Sequence, residues 1–148
     1  MPNATQTNNI LPIAISATEA KAMMDSDELV YLVDIRSSME FLFIGHPIGA
    51  VHIPWMDEPD WDINPHFVAD IRKLLLGGVA CSNKDHCAKI ILICRSGNRS
   101  EIAGKALIKA GLKQVYHIVD GFEGDKDENQ HRSSINGWRY DGLPWEQC

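Results

Sequence analysis

Hydrophobic and polar positions along this chain fall into alternating blocks. In "ISATEAKAMM", Ser16 stands three residues before Glu19, the spacing of a capping box, which predicts a helix opening there. The apolar run Leu29 to Val33, ending in Asp34 and Arg36, suits a strand buried on both faces. Ser37 and Glu40 repeat the capping spacing and predict a short helix that stops at Gly45; "GAVHIP" then reads as a short strand closed by Pro54. After a loop rich in Trp and Asp, Asn64-Pro65 opens the helix "PHFVADIRKLLLGG", with Phe67, Val68, Ile71, Leu74 and Leu75 on one face and Gly77-Gly78 at its end. "KIILIC" is the most apolar strand, and the helix "SEIAGKALIKAG" after it is expected to bury Ile102, Ala103, Ala106, Leu107 and Ala110 before ending at Gly111. "QVYHIV" is the last predicted strand, and a long loop from Asp120 to Trp145 follows it.

Strands and helices therefore alternate, with connections long enough for right-handed crossovers. The expected class is α/β, a parallel sheet with helices on both faces. With 148 residues, no internal repeat and no linker, the expectation is one domain over 11–148 behind a loose polar tail over 1–10.

Composition narrows the function classes. An apolar share of 45% and a charged share of 23% are globular averages, which excludes global disorder. A net charge of −6 with scattered acids argues against nucleic-acid and anionic-membrane partners, which need a basic face. No apolar run approaches the length of a bilayer span. "MPNATQTNNI" has no positive charge and no apolar centre, so it does not read as a signal peptide. The expected compartment is the cytoplasm, or the periplasm if a signal peptide has been removed. Four cysteines, unevenly spaced, are too few for a disulfide scaffold.

The chemistry concentrates in "CRSGNRS". Ligands of open parallel sheets bind beyond the carboxyl ends of the strands, where Cys94 is expected. Gly97 allows the loop to curl its N–H groups inward as a nest for an anion, and a helix start follows. That anion can be the thiolate itself, because helix N-termini and neighbouring arginines lower a cysteine pKa from about 8.5 to roughly 3.5–7.5. Buried structural cysteines are common, but Arg95 and Arg99 on either side of Gly97 favour a reactive one.

Together with "LVDIRSSMEFLFIGHPIGAVHIP" upstream and "VYHIVDGFEG…NGWRYDGLPW" downstream, "CRSGNRS" resembles a single-domain rhodanese over residues 11–146. The resemblance implies a five-stranded parallel sheet. It also implies a sulfurtransferase in which Cys94 takes a sulfane sulfur from thiosulfate or a similar anionic donor, carries it as a persulfide, and passes it to cyanide, a thiol or a protein acceptor. No cofactor and no metal are expected. Main-chain N–H groups of Arg95, Ser96, Gly97, Asn98, Arg99 and Ser100 are the candidate donors around the sulfur. Arg95 is expected at the pocket mouth, where its planar fork suits a sulfonate. Arg99 is expected to turn back and brace the loop on Glu40 or Asp34, so Asp34, Arg36 and Glu40 are the candidate bracing residues. Tyrosine-phosphatase-like loops are similar but one residue longer; the four residues between Cys94 and Arg99 suit sulfur over phosphate.

A second reading is a persulfide relay or sensing module that docks a partner through the Trp55–Trp61 insert. A third is a domain that holds an anion without chemistry. The family's "GHIPGA" stands here as "GHPIGA", so Pro47 alters the turn around His46.

Other motifs carry less. Cys81 and Cys87 beside His86 are half a zinc pattern without a second half. Asp125, Asp127 and Asn129 start like a calcium loop, but Gln130 and Asn136 occupy its Gly and Glu places, so a solvated loop is expected. Trp138, Tyr140 and Trp145 are expected to cover core. His46, His52 and His117 show no triad spacing, and no general base is assigned among them.

Overall fold

The computed structural model describes residues 11–26, 29–77 and 88–148. The expectations for the tail over 1–10 and for Cys81, His86 and Cys87 lie outside the described residues.

Five parallel strands, β1 (Ile13–Ile15), β2 (Val30–Asp34), β4 (Val51–His52), β5 (Lys89–Ile93) and β6 (Val115–Ile118), form one sheet in the order β1-β6-β5-β2-β4. Four of them are the predicted apolar runs. The fifth, β1, is the short "IAI" ahead of the Ser16 cap; it lies at the sheet edge with Ile13 half exposed. A second, two-stranded antiparallel ribbon pairs β3 (His46–Pro47) with β7 (Trp145–Glu146). Pro47 thus stands in a strand, and its carbonyl takes the Ala50 N–H while Ile48 N–H donates to the Pro144 carbonyl. Among the described residues four helical segments complete the fold: α1 (Ala17–Ser26), the single wide turn α2 (Glu40–Ile44), α3 (Phe67–Gly77) and α4 (Asn98–Lys109).

Both capping boxes close as their spacing predicts. Glu19 N–H donates to Ser16 Oγ at 3.1 Å and Ser16 N–H to Glu19 Oε1 at 2.8 Å. The reciprocal Ser37–Glu40 bonds are both 3.2 Å. The period of two along β5 divides the core. Ile90, Leu92 and Cys94 pack with Phe67, Ile71, Ala103 and Leu107 on the α3/α4 side. Ile91 and Ile93 pack with Ala17, Ala20, Phe122 and Trp138 on the other. Trp138 and Phe122 are fully buried there, so the segment after β6 covers the sheet face that α1 leaves open.

Three expectations are corrected. Ile102 is 53% exposed; the buried stripe of α4 is Ser100, Ala103, Gly104 and Leu107. The small residues let the helix close on the chain ahead of β1, where a Cβ on Gly104 would lie 2.6 Å from the Pro12 ring. Tyr140 does not cover core but is half exposed. Trp55 is not part of an exposed insert: it is buried edge-to-face on Phe67 at 5.1 Å, leaving Trp61 as the exposed indole.

Candidate active site

The central strand β5 delivers Cys94 to the carboxyl edge of the sheet, immediately ahead of α4. The loop reverses there because Gly97 adopts φ +107°, and a Cβ at that position would lie 2.2 Å from the Val119 carbonyl oxygen. This turn aims two N–H groups at the sulfur: Gly97 N–H at 3.1 Å and Ser100 N–H at 3.4 Å from Cys94 Sγ. Among the six expected donors, these two reach it. Both belong to the start of α4, so the helix end adds its partial positive charge. The segment after β6 holds the loop from behind, with Phe122 N–H on the Cys94 carbonyl and Glu123 and Gly124 N–H on that of Arg95. Gly97→Ala is expected to lower stability by at least about 1–2 kcal/mol and to slow Cys94 alkylation, as read by urea denaturation and iodoacetamide kinetics.

The arginines divide their work. Arg99 grips Glu40 through two bonds, Nη1–Oε1 at 2.8 Å and Nη2–Oε2 at 3.0 Å. Asp34 is not its partner: that carboxylate is taken by Arg36 at 2.9 and 2.7 Å, in a pair with no solvent exposure on either side. Arg36 also donates to the Gly45 carbonyl. Arg36 and Asp34 therefore secure the exit of β2, and of the three expected bracing residues it is Glu40 that bonds the Cys94 loop directly.

Burial pushes the Glu40 carboxyl up, but the Arg99 hydrogen bonds and charge outweigh it and hold the group below its ordinary value. A depressed carboxyl contributes stability that is full above its unfolded pKa, about 4.3, and is lost as pH falls through the lower folded value. Wild type should accordingly lose urea resistance in that acid window more steeply than Glu40→Gln. Parallel curves would contradict this brace.

Arg95 is exposed and has no side-chain partner among the described residues. It lines a small cavity of about 260 Å³ with Cys94, Ser96, Asn98 and Arg99. Arg95 and Arg99 also line a larger cavity of about 450 Å³ that continues outward to Trp61, Glu123 and Arg132. The insert that carries Trp61 is anchored by Asp57, which accepts Ser38 N–H at 2.7 Å and Ser38 O–H at 2.6 Å. Burial works to raise the Asp57 carboxyl, but these bonds bring it down to about 2.

The family model of the rhodanese-like domain matches residues 16–128. The chain belongs to the rhodanese-like family. It is 31% identical over 138 residues to the uncharacterized RP600 homolog of Rickettsia rickettsii, covering 89% of this chain and 95% of that protein. It is 29% identical over 136 residues to thiosulfate sulfurtransferase 16, chloroplastic, of Arabidopsis thaliana, covering 90% of this chain and 92% of that one. The crystal structure of Rv0390 from M. tuberculosis aligns with a TM-score of 0.75 at 33% identity, covering 91% of this chain and 97% of that chain.

Beyond the expected main-chain donors, the Ser100 hydroxyl and His117 lie behind the sulfur of this rhodanese-like site. Ser100 Oγ lies 3.5 Å from Cys94 Sγ, 3.1 Å from the Gly97 carbonyl and 3.0 Å from His117 Nδ1. His117 is buried on β6, and burial lowers its pKa, with a smaller opposing effect from Glu101, which favours the neutral ring. When Nδ1 carries the ring proton it donates to Ser100, freeing the hydroxyl proton for the sulfur or the Gly97 carbonyl. The signal for His117 is period two: it shares its strand face with Val115, which packs on the α3/α4 side. The two histidines weighed with it, His46 and His52, are structural. His46 Nδ1 is 2.8 Å from the Phe41 carbonyl with its ring stacked on Phe41, and His52 Nε2 is 2.8 Å from the Arg36 carbonyl.

The loop over 125–136 is tied by its own side chains. Asp127 accepts the N–H groups of Asn129 and His131 and the Ser134 hydroxyl, and Asn136 Oδ1 accepts Asp125 N–H. Among the described residues no group of three or more His, Cys, Asp and Glu is placed to hold a metal ion, and no helix is long and apolar enough to cross a membrane.

Proposed function

We propose that this rhodanese-like protein is a sulfurtransferase that carries sulfane sulfur on Cys94. The observation that carries the reading is the cradle itself, in which two N–H donors converge on a sulfur beneath a cavity whose outer charge, Arg95, is unpaired among the described residues. In the loading step the Cys94 thiolate attacks the outer sulfur of thiosulfate. The sulfur–sulfur bond breaks and sulfite leaves with its electron pair. The Gly97 and Ser100 N–H groups stabilise negative charge on Cys94 Sγ, and Arg95 offers its fork to the sulfonate oxygens. In the unloading step, cyanide or a thiolate attacks the outer sulfur of the persulfide, and the electron pair returns to Cys94.

The resemblance to the Arabidopsis thiosulfate sulfurtransferase supports thiosulfate as a donor. The test is thiosulfate-dependent thiocyanate formation. Turnover supports the enzyme. A persulfide that forms but is not taken by small acceptors supports instead the relay reading, which the exposed Trp61 in the wall of the larger cavity favours. No persulfide with any sulfane donor would contradict both.

A further inference from the structure

The larger cavity contains a charge that the loading step does not use. Glu123 is 9% exposed, and its Oε2 is buried without a hydrogen-bond partner among the described residues. A buried carboxylate without donors is costly and persists where something else supplies them. Within the same walls, Glu40 and Arg99 satisfy each other. Arg95 has no partner among the described residues, and Arg132 spends one N–H on the Gly124 carbonyl at 2.7 Å. Glu58, half-buried in the same wall, takes the Met39 N–H at 3.4 Å, which leaves the buried Glu123 carboxyl without a donor in a wall shared with two arginines. A simple anion would meet the arginines but also face Glu123. A bare cation would meet Glu123 but face the arginines. A ligand with both an ammonium and a carboxylate satisfies all three.

We propose that this cavity is an acceptor subsite for thiols bearing an α-ammonium and a carboxylate, with Glu123 holding the ammonium and Arg95 and Arg132 the carboxylate. It rests on Cys94 carrying the sulfur, since Arg95 and Arg99 line both cavities and so join the subsite to the cradle. The acceptor's thiolate, its proton lost to solvent, attacks the outer sulfur of the Cys94 persulfide. The bond between that sulfur and Sγ breaks, its electron pair returns to Sγ, and the acceptor leaves as a persulfide. Free cysteine and the γ-glutamyl end of glutathione both carry this chemistry.

The experiment loads the protein with thiosulfate, removes excess donor, and follows loss of the added sulfur by intact mass. Acceptors are matched for thiolate concentration. Cysteine is expected to unload Cys94 about tenfold or more faster than N-acetylcysteine, which lacks the ammonium, and than cysteamine, which lacks the carboxylate. Glu123→Gln should collapse the cysteine to N-acetylcysteine ratio towards one, and Arg132→Ala the cysteine to cysteamine ratio. Whichever of cysteine and glutathione unloads faster names the source. Equal rates for all acceptors, or ratios unchanged in both variants, would overturn the proposal.

A second readout needs no sulfur chemistry. S-methylcysteine should quench or shift the emission of sulfur-free protein, since Trp61 lines the cavity, whereas N-acetyl-S-methylcysteine should not. Failure of loading with this binding intact would sink the sulfurtransferase reading alone. Loss of binding discrimination with loading intact would sink the subsite alone.

Discussion

Cys94→Ser is expected to reduce thiosulfate-dependent thiocyanate formation to the uncatalysed background and to abolish the gain of one sulfur in intact mass. The hydroxyl is nearly the same shape as the thiol, so the substituted side chain keeps the Gly97 and Ser100 N–H groups occupied and the fold should hold. A hydroxyl, however, is scarcely ionised at neutral pH and cannot form a persulfide. The comparison separates chemistry from architecture because Cys94 is also a core residue, 1% exposed and packed with Leu92 and Leu107. A variant with unchanged circular dichroism and urea midpoint but no sulfur uptake is the expected pattern. Residual turnover above background would remove Cys94 from the centre of the reaction.

The second large effect falls on stability. Asp34→Ala is expected to cost about 3–5 kcal/mol, because it leaves a buried guanidinium without its counter-charge. Arg36 is wholly buried, and its Nη1 already lacks a partner among the described residues. After the substitution it would keep only the Gly45 carbonyl and the face of Phe122, whose ring centre is 4.5 Å from its Cζ. Arg36 cannot turn to Glu40 instead, since that carboxylate is held by Arg99. A fall in the urea midpoint far larger than that of Glu40→Gln is the expected result. Equal falls would mean that the two pairs share the load.

The difference between these two pairs marks how far the sequence can be read. Cys94, the two capping boxes and four of the five strands follow from local pattern: an apolar run, a Ser–Glu spacing, a glycine at the turn. Those signals act over a few residues, and the structure keeps them. Strand β1 escapes such a reading because three residues at a sheet edge, half exposed at Ile13, carry too little periodicity. Ile102 is misplaced by it because helical spacing gives a stripe without saying which flank closes on the sheet. The small residues Ser100 and Gly104 decide that, Gly104 through its fit to the chain at Pro12. The choice of Glu40 over Asp34 for Arg99 needs a contact across 59 positions, which no local pattern encodes. Glu123 and Arg132 lie in a segment that reads as loop, and their meeting with Arg95 follows only from how that segment clamps the Cys94 turn.

The chain carries its own control for the central claim. Cys148 is a free, exposed cysteine, whereas Cys94 is buried beneath its donors. The most direct measurement is the mass of each cysteine-containing peptide after brief thiosulfate treatment and alkylation, with and without cyanide. One added sulfur on the Cys94 peptide, absent from that of Cys148 and removed by cyanide, is the predicted result. Sulfur on Cys148 as readily as on Cys94, or none on Cys94 with any sulfane donor, would contradict it.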